Sequence, residues 1–147
     1  MVVASDRSNL AGLEPQRWAG VAEQVLAAEG VSGPGELSLT FVAEAEMAEL
    51  NGAHMGEDGP TDVLSFPLDA EPDPAEPSAP RLLGDVVVCP AVAARQAAER
   101  GAPLAEELAL LVVHGVLHVL GWDHADAEEA QAMRARESSH LARVAMR

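Results

Sequence analysis

The run ALLVVHGVLHVLGWDH, Ala109 to His124, constrains the fold of this chain more than any other stretch. From Leu108 to Leu120 it is apolar nearly all round, the pattern of a helix that passes through a core, yet it carries His114 and His118. A buried imidazole is costly unless it finds a partner. Four residues make slightly more than one helical turn, so these two side chains project from the same face. Gly121 suits the left-handed residue that closes a helix, and a chain turning back there brings His124 to the same point. Three neutral imidazole nitrogens at about 2.0–2.1 Å from one ion describe a zinc site with its fourth position left open for water. Hydrogen-bonded core histidines are the competing reading. Two histidines four apart, with a third beyond a glycine break, favour a metal site formed by His114, His118 and His124.

A chain of 147 residues with 48% hydrophobic residues forms one domain, residues 1–147, with a real core. Its single cysteine, Cys89, excludes an internal disulfide and reads as a small buried hydrophobe. MVVASDRSNL lacks the basic start and apolar run of a signal peptide. The longest apolar stretch, Leu108 to Trp122, is shorter than a membrane span and holds two histidines, so a cytoplasmic protein without a membrane partner is expected. The 24 acidic residues against nine basic ones, all arginine, give a net charge of −15. Such a field repels nucleic acid at long range, so an RNA or DNA partner requires a local arginine groove.

The remaining elements follow from period and punctuation. Met1 to Ala4 reads as an edge strand. Pro15 to Gly30 places Trp18, Val21, Ala22, Val25 and Leu26 at helical spacing. SGPGE forms a turn, and ELSLTFVA alternates Leu37, Leu39 and Phe41 with polar residues, as in a strand buried on one face. A short helix, Glu44 to Asn51, precedes a Gly-rich loop and a strand from Asp62 to Phe66 stopped by Pro67. Glu71 to Pro80 is a proline-rich acidic loop too polar to pack. Val86 to Cys89 suits a strand covered on both faces. Helices are expected from Pro90 to Arg100, from Pro103 as the longest, and from Ala127 to about Ala145. The class is α+β or α/β: a small mixed four-stranded sheet packed against the central helix that carries the ligands, in a zincin-like arrangement.

An open three-histidine site lowers the pKa of water from about 15.7 to about 7 and polarises a carbonyl or phosphoryl oxygen, so hydrolysis is the expected chemistry. The spacing is that of metzincin proteases, H-E-x-x-H-x-x-G-x-x-H, in which the glutamate is the general base. Here that position is Gly115. Glycine in mid-helix costs about 1 kcal/mol relative to alanine, which suggests that a substrate or a neighbouring backbone needs the space. Peptide hydrolysis usually needs a carboxylate acid/base, whereas phosphodiester cleavage depends more on charge stabilisation.

PTDVLSFP (Pro60 to Pro67), LGDVVVC (Leu83 to Cys89) and HGVLHVLGWDH together resemble the YbeY family of bacterial metal-dependent endoribonucleases, over about Leu37 to Glu137. The resemblance implies an α+β fold with zinc on His114, His118 and His124. It also implies cleavage of single-stranded RNA, maturation of the small-subunit rRNA 3′ end, and a part in ribosome quality control with the small ribosomal subunit as partner. Many members carry a tyrosine–arginine pair, its arginine important for cleavage, where this chain has His54 and Met55. Trp122 stands where the family usually has tyrosine.

If RNA is the substrate, Arg95, with Arg81 and Arg100 near it, and polar Thr61 and Ser65 are the candidate contacts. Asp85 and Asp123 are candidates to orient a ligand imidazole through its other nitrogen, with turn roles as the alternative. Met133, though downstream of the third histidine, sits in a helical pattern and reads as core. Two other functions stay open: a non-catalytic, zinc-containing ribosome-assembly factor and a metzincin-like metalloprotease. A hydrolase of small molecules is a third.

Overall fold

In a computed structural model, residues 1–31, 35–68, 75 and 81–145 are described, apart from the side chains of Arg81 and Ala145. Most of the expected SGPGE turn and of the acidic loop at Glu71 to Pro80 lies outside them. The elements run β1 (Val2–Arg7), α1 (Pro15–Ala28), β2 (Gly35–Val42), α2 (Glu44–Met55), β3 (Val63–Pro67), β4 (Arg81–Val88), α3 (Pro90–Arg100), α4 (Leu104–Val119) and α5 (Ala127–Ala145). The strands form one sheet in the order β1-β2-β4-β3, with β1, β2 and β4 mutually parallel and β3 antiparallel to β4. The fold is therefore α+β with a mixed four-stranded sheet, as the interleaved pattern predicts.

Alternation along the strands sorts two cores. Leu37, Leu39 and Phe41 of β2 and Val86 and Val88 of β4 join α1 and α4 in the larger one. Val42, Leu64, Val87 and Cys89 point the other way, against Met47 of α2 and Val92 of α3. Residues one apart on a strand face opposite sides, so the unbroken apolar run in β4 is what a strand covered on both faces requires. Cys89 is fully buried there.

Helix α1 buries Trp18, Ala19, Val21, Ala22, Val25 and Leu26, the face that the spacing predicts. Helix α4 buries nine of its sixteen residues, including Leu108, Leu111 to Val113 and Gly115 to Leu117. At about 1.5–3 kcal/mol for each fully buried large aliphatic side chain, that face anchors the helix to the sheet. Several bounds differ from expectation: β1 runs on to Arg7, β3 includes Pro67, and β4 begins at Arg81. Helix α2 runs on to Met55, with Asn51 buried and its amide donating to the Gly59 carbonyl at 2.9 Å. The longest helix is α5, at 19 residues, rather than the one opened by Pro103, at 16. Among the described residues no single helix is long and apolar enough to cross a membrane.

Candidate metal centre

Helix α4 ends in a Schellman motif, with the Gly121 N–H donating to the His118 carbonyl and the Trp122 N–H to the Leu117 carbonyl, each at 3.0 Å. Gly121 has φ +101°, a conformation that side chains with a Cβ resist, so glycine is required for the reversal. The reversal returns His124 to the helix face that carries His114 and His118. One ring nitrogen from each of the three lies within 4.8 Å of the others. Three imidazole nitrogens gathered this closely are a donor set that suits a zinc-class metal. Burial, with the neighbouring rings of His114 and His124, pushes the His118 pKa below its ordinary value. The neutral form is the one that can ligate.

The imidazole of His114 is not free to turn. Its Nδ1 is hydrogen-bonded to Oε1 of Glu137, an α5 carboxylate that is itself buried. That bond fixes the ring and leaves its Nε2 as the nitrogen available to a metal. Glu137 does what Asp85 and Asp123 were expected to do, and the reason is the packing of α5. Asp123 instead uses Oδ1 to accept the His124 backbone N–H at 2.7 Å, the turn alternative. Asp85 sits in β4 opposite Phe66 and makes no hydrogen bond to the three histidines. The sequence signal for Glu137 is an acidic residue four positions after Met133 on the buried face of an amphipathic helix. Met133 is core, at 1% exposure, as its helical pattern predicts.

The three histidines stand in a cleft of about 520 Å³, shared by the β3 edge, the end of α2 and the turn after α4. Met55, Asp62, Ser65, Trp122 and Asp123 contribute to its walls. Ser65 reaches the cleft, its hydroxyl donating to the Gly115 carbonyl at 3.1 Å. Thr61 lies just outside that lining and donates to Asp62 Oδ1 at 3.3 Å, while the same oxygen accepts the Val63 N–H at 2.7 Å. His54 stacks edge-on against Phe66, with ring centroids 5.0 Å apart.

Of the arginines named as candidate contacts, Arg95 and Arg100 stand away from this cleft. Arg95 is paired with Glu44 of α2, and Arg100 with buried Glu107 of α4. Both are absorbed by neighbouring helices, and neither lines the cleft. The Arg81 side chain lies outside the described residues.

At Gly115 it is the neighbouring sheet that needs the space. A Cβ there would stand 2.6 Å from Val86 Cγ1 and 3.3 Å from Ser65 Oγ. The space that a metzincin gives to its glutamate is taken by side chains of the chain's own β3 and β4, so glycine is there to let α4 approach the sheet, and not to admit a substrate.

Behind the turn, a buried polar group ties three elements together. Glu29, just past the end of α1, accepts from Trp122 Nε1 at 3.1 Å and from Arg136 Nε at 2.5 Å, and its Oε2 is 2.7 Å from His140 Nε2. Burial pushes its carboxyl pKa up, but the bonds from Arg136, His140 and Trp122 outweigh that and hold it below 4.5. Trp122 thus keeps an aromatic wall on the cleft while its ring nitrogen fixes the loop that carries His124.

The family model for YbeY, described as endoribonuclease YbeY, matches residues 4–145. A protein of Moorella thermoacetica named endoribonuclease YbeY is 49% identical over 131 residues, covering 86% of this chain and 84% of that one. A protein of Salinispora tropica with the same name is 50% identical over 129 residues, covering 83% and 82%. Among solved structures, the solution structure of TM1509 from Thermotoga maritima superposes with a TM-score of 0.67 at 26% identity, covering 98% of this chain and 89% of that one.

Proposed function

The chain belongs to the YbeY family of endoribonucleases, and from that premise we propose that it is a zinc-dependent endoribonuclease specific for single-stranded RNA. In this proposal it matures the 3′ end of small-subunit rRNA, takes part in ribosome quality control with the small ribosomal subunit as partner, and works in the cytoplasm. The observation that carries the chemistry is the convergence of His114, His118 and His124 in an open cleft, with His124 exposed.

A zinc ion held by those imidazoles would supply Lewis acidity to a phosphoryl oxygen and lower the pKa of water at its open position. The chain's own groups do the rest. Glu137 holds the His114 ring in one orientation and one tautomer. His118, kept neutral by burial, presents a lone pair where a protonated ring would repel a cation. Ser65 is committed to the Gly115 carbonyl, so its hydroxyl braces the strand beside the ligands. No carboxylate follows the first ligand, and Val86 and Ser65 fill the room one would need. Peptide hydrolysis relies on such an acid/base, whereas cleavage of a phosphodiester relies chiefly on stabilising charge, and the arrangement favours the phosphodiester.

A second reading, a zinc-containing assembly factor that binds rRNA without cutting it, is favoured by Met55, an apolar residue exposed on the cleft wall. One experiment separates the two: purified protein is assayed for zinc by elemental analysis and for cleavage of single-stranded rRNA, with and without chelator. We expect stoichiometric zinc and chelator-sensitive cleavage, and loss of both in His114→Ala. Cleavage that survives in metal-free protein would refute the metal-centred mechanism. Binding of small subunits with intact RNA would establish the assembly-factor reading.

A further inference from the structure

We propose that Arg134 of α5 is the phosphate clamp of this site, gripping a backbone phosphate of a bound single-stranded oligonucleotide next to His114 and His124. The inference rests on the RNA reading above and adds a substrate-binding residue to it.

The difficulty it answers is electrostatic. A chain of net charge −15 binds a polyanion only where a local cation offsets its field. Among the described residues no arginine lines the main cleft, and its three histidines are needed neutral. The other described arginine side chains are already engaged. Arg7 bonds Glu46 at 2.6 Å and Arg17 lies 3.8 Å from Glu14. Arg95, Arg100 and Arg136 pair with Glu44, Glu107 and Glu29, and Arg143 lies 2.9 Å from His140 Nδ1. Arg134 is the one described arginine side chain left with no ion pair, hydrogen bond or ring contact.

Its position is what gives that a meaning. Arg134 lines a recess of about 280 Å³ together with Ala130, Met133 and Glu137 of α5, and with His114 and His124, which also stand in the main cleft. Helical spacing explains why the guanidinium is left over. Its neighbours four residues away on α5 are Ala130 and Ser138, which offer no carboxylate, and Glu137, three residues on, is held by the His114 ring. A guanidinium presents five N–H donors in a planar fork that matches two phosphate oxygens at once. Strands of nucleic acid that place one phosphate at the three histidines can therefore offer the adjoining phosphate to Arg134.

The test uses the full chain loaded with zinc and a fluorescent single-stranded RNA, with anisotropy titrations across a range of KCl concentrations alongside cleavage kinetics. Arg134→Gln should raise Kd and KM about tenfold, as expected for loss of a charge-assisted contact, with kcat little changed and zinc content equal. The slope of log K against log salt should fall by about 0.7, the contribution of one single-strand phosphate. Arg134→Lys should keep the slope but recover only part of the affinity, because an ammonium is a point charge without the fork. Arg17→Gln, an exposed arginine on α1, should change none of these. Wild-type protein that binds and cleaves RNA, with Arg134→Gln matching it in Kd, KM and salt slope, would overturn the clamp alone. Wild-type protein that neither binds nor cleaves would overturn the RNA reading and the clamp with it.

Discussion

A methyl group on Gly115 would lie 2.6 Å from Val86 Cγ1, closer than packed carbons come. Val86 is β-branched, fully buried and held in a strand paired on both sides, so it has little freedom to move aside. Gly115→Ala should gain about 1 kcal/mol of helix propensity and lose about 1–3 kcal/mol to overpacking. The net result expected in urea denaturation is a destabilised protein, with most of the loss recovered when Val86→Ala is added. A single variant more stable than wild type would show that propensity wins. At this scale the sequence displayed the three ligands because their spacing is local: two lie on one helix face and the third lies after a turn that needs glycine. It did not display Glu137, whose partner lies 23 residues away, nor the fates of Arg95 and Arg100, which depend on which helices come to lie beside them.

Among the elements, α5 does more than cover the core. One face of it supplies Met133 to the packing and Glu137 to a ligand, and the next supplies Arg136 and His140 to Glu29. Through Glu29 and Trp122 the end of α1 and the middle of α5 grip the turn that follows α4. Glu29→Gln leaves buried donors poorly matched and should cost about 1–3 kcal/mol at neutral pH. The pH dependence has a definite sign. Because folding lowers the Glu29 pKa below 4.5, its contribution is present above that value and is lost as pH falls through the lowered one. The stability gap between wild type and variant, measured by denaturation at a series of pH values, should be constant near neutrality and shrink below about pH 4.5. A gap independent of pH would contradict the role given to the charge. The elements themselves were legible from period and capping: α3 begins at a proline and stops before Gly101, as its sequence indicates. Helix α2 outran its expected end because the glycine that closes it is Gly56, at φ +66°, and not Gly52 beside Asn51.

For the molecule as a whole, the net charge of −15 opposes both folding and RNA binding, and added salt moves the two in opposite directions. Its carboxylates repel one another in the folded state, and salt shortens the range of that repulsion to about 10 Å at 0.1 M. The Tm of metal-free protein should therefore rise as NaCl is increased from about 10 mM to about 0.5 M, while affinity for single-stranded RNA falls over the same range. A Tm that falls with added salt would mean that favourable ion pairs outweigh the repulsion. The sequence by itself determined the class, the two-sided burial of β4, the helix through the core and the three imidazoles. Each of these depends on periodicity within a few turns or strand residues. Only the tertiary structure decided which carboxylate steadies His114, that Gly115 makes room for Val86, and that Arg134 is the arginine left unpaired, among the described side chains, beside the histidines. Those outcomes rest on contacts between side chains far apart in the chain, and a charge or a glycine takes its meaning from the neighbour that packing brings to it.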